Sequence, residues 1–225
     1  MAEPSAGLTA WLQRQMPTVQ KKVKAVHLDK SESVLHVGPG LIRSFYPRVP
    51  TTVMPGEDTT VGRVCCSLTL SQALWGGRHH FPAPKLYLYS FEERDVLVPS
   101  VALTQEGKRG NEVWIVPHRM ENWDIKPLRV GEVRLLNKSH DVEGTDRGVM
   151  SYVVFITDQP VPFDKSTMLE VGKCYEFQVN STAKWKPING GDDVEYNRDS
   201  AVKFIGEIDK DFWDRAAFEY TVTVK

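Results

Sequence analysis

The 225-residue chain is short of cysteine, of net charge and of long apolar runs, and each shortage narrows what it can do. Three cysteines, two adjacent (Cys65 and Cys66) and one remote (Cys174), make neither a disulfide framework nor a four-ligand zinc site. Lysine and arginine number 28 against 29 aspartates and glutamates, a formal net charge of −1. That balance excludes nucleic-acid binding through a global basic field, though not through a local patch. No apolar run approaches the ~18 residues of a membrane-crossing helix. The opening MAEPSAGLTAW lacks the basic-then-apolar order of a secretory leader. A cytoplasmic location away from membranes is therefore expected, with the sequons at Asn137 and Asn180 unused. Motifs of familiar chemistries are missing as well. There is no H-E-x-x-H, no paired C-x-x-C, no G-x-S-x-G, and the Gly-Pro-Gly at 38–40 lacks phosphate-loop spacing. No metal site is expected.

What is present is organised around residues 34–75. Before them, Leu8, Trp11, Leu12, Met16, Val19 and Val23 recur at helical steps. This predicts an amphipathic helix over 7–26, kinked or divided at Pro17, with Lys21, Lys22 and Lys24 near its C-terminal end. Strands are predicted at 33–37, 64–67, 85–90, 95–99, 112–116 and 130–136. A short helix is expected around Ala73, Leu74 and Trp75, capped by Thr69 or Ser71 and closed by Gly76 and Gly77. Pro47, Pro50 and Pro55 shape the loop 46–62, and long ordered loops are often functional. Residues 137–148 read as a polar linker. Beyond it come strands at 151–157, 173–180, 201–208 and 218–224, and a short helix over 209–217. The expected fold is α+β: mixed or antiparallel β-sheets, a few short helices and a β-rich C-terminal third. It divides into an α+β domain over 1–136 and a β-rich extension over 137–225, or forms one continuous domain.

Several polar residues stand where chemistry could occur. His36, between Leu35 and Val37, is either a core histidine bonded to backbone or a ligand-orienting histidine at the base of a cleft. Glu112 opens the apolar strand EVWIV after a loop. It is either an edge charge facing water or an acid able to stabilise a developing cation. Arg48, Glu57, Asp58 and Arg63 make an ion-pair network that stiffens the loop. His79 and His80 read as surface loop, Cys65 or Cys66 as core, and Glu176 as the wet face of a strand.

At these residues the order of features resembles the ADP-ribosyltransferase fold, especially its diphtheria-toxin-like branch and the related RNA 2′-phosphotransferases. Leu35-His36 is similar to the hydrophobic-His end of that family's first strand. VCCSLTLSQALW, residues 64–75, is similar to its next strand and helix, and Glu112 in NEVWIVPHRMENWDI to its third motif. The resemblance covers about residues 32–126. It implies NAD as substrate, with His36 and Ser67 holding the ribose and amide and Arg48 neutralising the pyrophosphate. It also implies that Glu112 stabilises the oxocarbenium-like sugar as nicotinamide leaves. Cys66 or Ser67 stands where the second motif has an aromatic, and there is no S-T-S and no E-x-E.

Two other readings stand beside it. One is a non-enzymatic interaction or virion-associated protein, phage-encoded, that uses the fold as a scaffold. It expects a protein partner or homo-oligomer, with Trp123, Trp185 and Trp213 as anchors. The order PR-x-P, ED, RVC is similar to that of small phage- or plasmid-encoded proteins. The other is a single-stranded nucleic-acid-binding module built on Lys184, Trp185, Lys186 and Arg198.

Overall fold

A computed structural model describes residues 2–15, 17–50, 58–77, 83–100, 112–119, 124–142, 145–181 and 201–216. In chain order it contains α1 (Ala6–Arg14), α2 (Pro17–Gln20), β1 (Val23–His27), β2 (Val34–Gly38), β3 (Val64–Ser67) and α3 (Leu70–Gly76). Then follow β4 (Lys85–Phe91), β5 (Asp95–Pro99), β6 (Glu112–Ile115), β7 (Leu128–Val142) and β8 (Thr145–Ile156). The chain continues through β9 (Val161–Pro162), β10 (Met168–Leu169), β11 (Cys174–Ser181), β12 (Ala201–Ile208) and α4 (Lys210–Ala216). Ten strands form one sheet in the order β1-β5-β6-β3-β2-β4-β7-β8-β11-β12, and β9 with β10 forms a separate hairpin. Every described pairing is antiparallel. The protein is thus β-rich, with a few short helices.

Period-two alternation sorts the side chains onto two faces. On one face Leu35, Val37, Leu86, Leu88, Val133, Val154 and Phe177 pack under α3 and the β9–β10 hairpin. The α3 side chains Leu70, Ala73 and Leu74 are buried there, and the Ser71 N–H donates to the Phe163 carbonyl of the hairpin at 2.9 Å. Further along the same face α1 lays Leu8, Trp11 and Leu12 over Leu97 and Trp114. The opposite face buries Val34, Val64, Cys66, Tyr89, Phe91, Val113 and Ile115 beneath Ile42 and Phe45 of the segment after β2. At its far end α4 covers Val153 and Cys174 with Trp213.

The long N-terminal helix predicted over 7–26 is two short helices and a strand. Ser5 caps α1, its hydroxyl oxygen accepting the Leu8 N–H at 3.3 Å. Residues 23–27 instead pair along the whole length of β5, from Val23 with Pro99 to His27 with Asp95. The β-branched valines of VKAVH satisfy a sheet edge, and that ladder outweighs the helical spacing. Lys24 accordingly lies on a strand and not at a helix end.

The polar stretch 137–148, expected to be a linker, is largely the paired ends of β7 and β8. β7 runs through the boundary expected at 136, and β8, β11 and β12 extend the same sheet. Ladder hydrogen bonds are indifferent to side-chain polarity, so a polar sequence can prolong a hairpin. Gly131 marks a crowded point in this sheet: a Cβ there would lie 2.8 Å from the Phe155 carbonyl oxygen. The strand predicted over 218–224 lies outside the described residues.

Candidate functional site

Three sequence motifs far apart in the chain arrive on neighbouring strands at one level of the sheet. Leu35 of β2 faces Ser67 of β3, and Ser67 faces Glu112 of β6. Residues directly opposed in an antiparallel ladder point to the same face, so Leu35, Ser67 and Glu112 share one. Cys65 and Trp114, two residues along from Ser67 and Glu112, are paired and share it too.

The ladder between β2 and β3 is short at this level. β2 and β3 are joined by a single registered pair, Leu35 with Ser67, whereas β2 pairs with β4 over five residues. Where the next ladder bond would fall, the His36 Nδ1–H donates instead to the Cys65 carbonyl at 3.0 Å. A side chain has replaced the backbone across the seam. Cys65 is exposed although β3 is an interior strand, while Val64, Cys66 and Ser67 around it are buried. The helices over this face leave a window above Cys65, with Ser67 and Glu112 beside it. Glu112 is 8% exposed, and its Oε1 accepts the Trp114 indole N–H at 2.7 Å. Burial, with Cys65 and Glu112 nearby, pushes the Cys66 thiol well above its ordinary pKa.

His36 and Glu112, which the resemblance assigns to one NAD molecule, do not share a face. Alternation puts His36 on the face opposite Leu35, Ser67 and Glu112, where its ring lies edge-on to Phe45 at 4.9 Å. Sequence position alone does not reveal this parity; it is set by which residues pair. Arg48 is exposed, and its backbone exchanges hydrogen bonds with Arg63 at 3.0 and 3.3 Å. The expected loop network is present in part and lies deeper than a surface stiffener. Arg63 is 4% exposed, with Nη1 3.4 Å from Asp58 Oδ1 and its guanidinium 4.0 Å over the Trp114 ring. Burial alone would raise the Asp58 pKa, but hydrogen bonds from Val61 and Thr60 outweigh it and hold the carboxyl below its usual range. Glu57 lies outside the described residues, as do His79, His80, Trp123, Lys184, Trp185, Lys186 and Arg198. Trp213 is not an exposed anchor: it is 5% exposed, with the Arg134 guanidinium 3.9 Å over its ring.

A second polar cluster escaped the sequence reading. Asp95, opening β5, is 1% exposed and lies between His27 and His118, with Glu93 and Arg119 at its rim. The only signal for it was local: an acid heading an apolar strand in FEERDVLVP, and a histidine just past another in VWIVPHR. No spacing rule links the two, because β5 and β6 are brought together by the sheet. Compared with protein-family models, curated proteins and solved structures, the chain matches none.

Proposed function

We propose that the window over β3 is a nucleotide crevice, and that the protein is ADP-ribosyltransferase-like and acts on NAD or a related nucleotide. The observation that carries this is the exposed Cys65 in an interior strand, beside Ser67 and Glu112 and against a seam of one residue pair. On this reading the Ser67 hydroxyl and Glu112 carboxylate meet the ribose from the window. The C–N bond to nicotinamide breaks, its electron pair leaves with nicotinamide, and water or an acceptor nucleophile forms the new bond to the sugar carbon. A fixed carboxylate in a water-poor site is suited to the positive charge developing on that carbon. The Trp114 indole N–H holds the carboxylate in place.

His36 has a positioning role here. From the far side of the seam it holds the Cys65 carbonyl, and with it the rim of the window. Exposed Arg48 is the cation assigned to the pyrophosphate. Calorimetry of the full chain with millimolar NAD, paired with alkylation of Cys65 in its presence and absence, tests the proposal. Binding with protection of Cys65 is expected. Neither heat of binding nor protection, for NAD or other nucleotides, overturns it.

A non-enzymatic interaction role is favoured by one observation of its own. Leu41 and Tyr46 are 61% and 62% exposed on a segment that also presents Arg43 and Arg48. The segment is tied to the sheet and to Ile125 by hydrogen bonds. The Tyr89 hydroxyl donates to the Gly40 carbonyl at 2.9 Å and accepts the Ile42 N–H at 2.8 Å, and Phe45 pairs with Ile125. Tyrosine and arginine are typical interface anchors, and residues 38–50 carry two arginines and no acid, so the partner is an acidic protein surface. Tyr46→Ala should abolish capture of that partner while Glu112→Gln leaves it intact; the reverse pattern removes this role.

A further inference from the structure

His118 is buried with one ring nitrogen left without a hydrogen bond. Its Nδ1–H donates to the Val116 carbonyl at 3.0 Å, so in the neutral ring Nε2 carries the bare lone pair. The side chain is 1% exposed, and Nε2 makes no hydrogen bond. It is aimed at Asp95 Oδ2, 3.6 Å away, and that side chain is itself 2% exposed. With the ring neutral, two electron-rich atoms face each other away from water, the Arg119 guanidinium standing to one side of Oδ2, and a cation between them turns the contact favourable. The separation is too long for a hydrogen bond. It is close to the edge of a tetrahedron of ligands at about 2.1 Å from a zinc-like ion, about 3.4 Å.

The rest of the cluster fits the same purpose. One ligand atom each from Glu93, Asp95 and His118 lie within 4.8 Å of one another. The other oxygen of Asp95, Oδ1, accepts from His27 Nδ1–H at 2.9 Å and from the Ser5 N–H at 3.1 Å, which turns Oδ2 toward His118. Outer hydrogen bonds of this kind orient metal ligands. The Val116 carbonyl does the same for His118. Arg119 stands at the rim, its Nη2 3.3 Å from Asp95 Oδ2 and 3.5 Å from Glu93 Oε1. Both exceed the roughly 2.8 Å of a firm charge-assisted bond. Its side chain is 53% exposed, so water can take its place beside the carboxylates.

The geometry points to a divalent transition-metal site formed by Glu93, Asp95 and His118, with Arg119 as the displaceable cation at its mouth. One imidazole and two carboxylates suit zinc, cobalt, iron or manganese. Three protein ligands leave a fourth position for water.

Full-length protein, treated with chelator and dialysed, is titrated with Co²⁺ and Zn²⁺ by calorimetry and visible absorption. One equivalent is expected to bind, with cobalt bands of low-symmetry, four- or five-coordinate type. Glu93→Gln and His118→Gln should each raise Kd at least about tenfold, and Arg119→Ala should lower it. Glu93 is half-buried, so Glu93→Gln serves if His118→Gln fails to fold. Binding unchanged by Glu93→Gln would locate the metal at other histidines or cysteines. That result, or no binding to wild type and Arg119→Ala at millimolar metal, overturns the assignment.

Discussion

Cys65 and Cys66 are covalent neighbours on opposite faces of β3, the first exposed and the second buried at 3%. The thiolate is the reactive form. Burial pushes the Cys66 thiol well above its ordinary pKa and raises that of Cys174 to about 11. One cysteine of three should therefore react under native conditions. Iodoacetamide labelling read by peptide mass spectrometry is expected to modify Cys65, with Cys66 and Cys174 labelled only in denaturant. Early labelling of Cys66 would contradict the assigned faces.

Glu112→Gln keeps an oxygen to accept the Trp114 N–H, so the fold should survive. If the nucleotide proposal holds, release of nicotinamide from NAD falls about 100-fold or more while NAD affinity changes little. Ser67→Ala should instead weaken binding. Equal loss of both properties in Glu112→Gln would mean a binding group and not a transition-state group.

Arg63 Nη1 donates to the Asp58 and Val61 carbonyls, each at 3.1 Å, and to Asp58 Oδ1 at 3.4 Å, and the guanidinium stacks on Trp114. Arg63→Ala leaves Asp58 without its cation and uncovers the indole. A loss of about 3 kcal/mol is expected, seen in urea melts as a lower midpoint at unchanged slope. Lysine should recover only part of it, having no planar fork to stack.

Glu132 joins Lys85 at 2.8 Å and Arg134 at 2.7 Å, and Arg134 in turn covers Trp213 of α4. Burial would raise its pKa, but the hydrogen bonds from Lys85 and Arg134 outweigh that and lower it. A depressed folded pKa gives stability that is complete above the unfolded value, about 4.3, and is lost as pH falls through the folded one. Glu132→Gln should cost about 2 kcal/mol at neutral pH and flatten the stability curve below about pH 4.3. Thermal melts from pH 2 to 7 compare the two proteins; parallel curves would show that Glu132 does not carry this dependence.

Strand existence was legible at β4, β5, β6 and β11, where an apolar run is bounded by turn residues and the strands follow the sequence closely. Residues 23–27 were not, because VKAVH fits a helical spacing and a strand equally, and only β5, some seventy positions away, decides between them. The candidate site was legible as three motifs but not as geometry. That Ser67 opposes Glu112 is a matter of register, and register also sends His36 to the other side. The Asp95 cluster was invisible for the same reason, since nothing local ties His118 to His27.

The order in which strands neighbour one another implies an order of assembly. β7 and β8 are close in sequence and zip together at little entropic cost, whereas β1 must find β5, and β3 must find β6. Contacts between distant segments are slow to form. In refolding from denaturant, the half of the protein holding both polar clusters should therefore close last. A nascent chain must wait for residue 115 to emerge before β3 gains its outer partner.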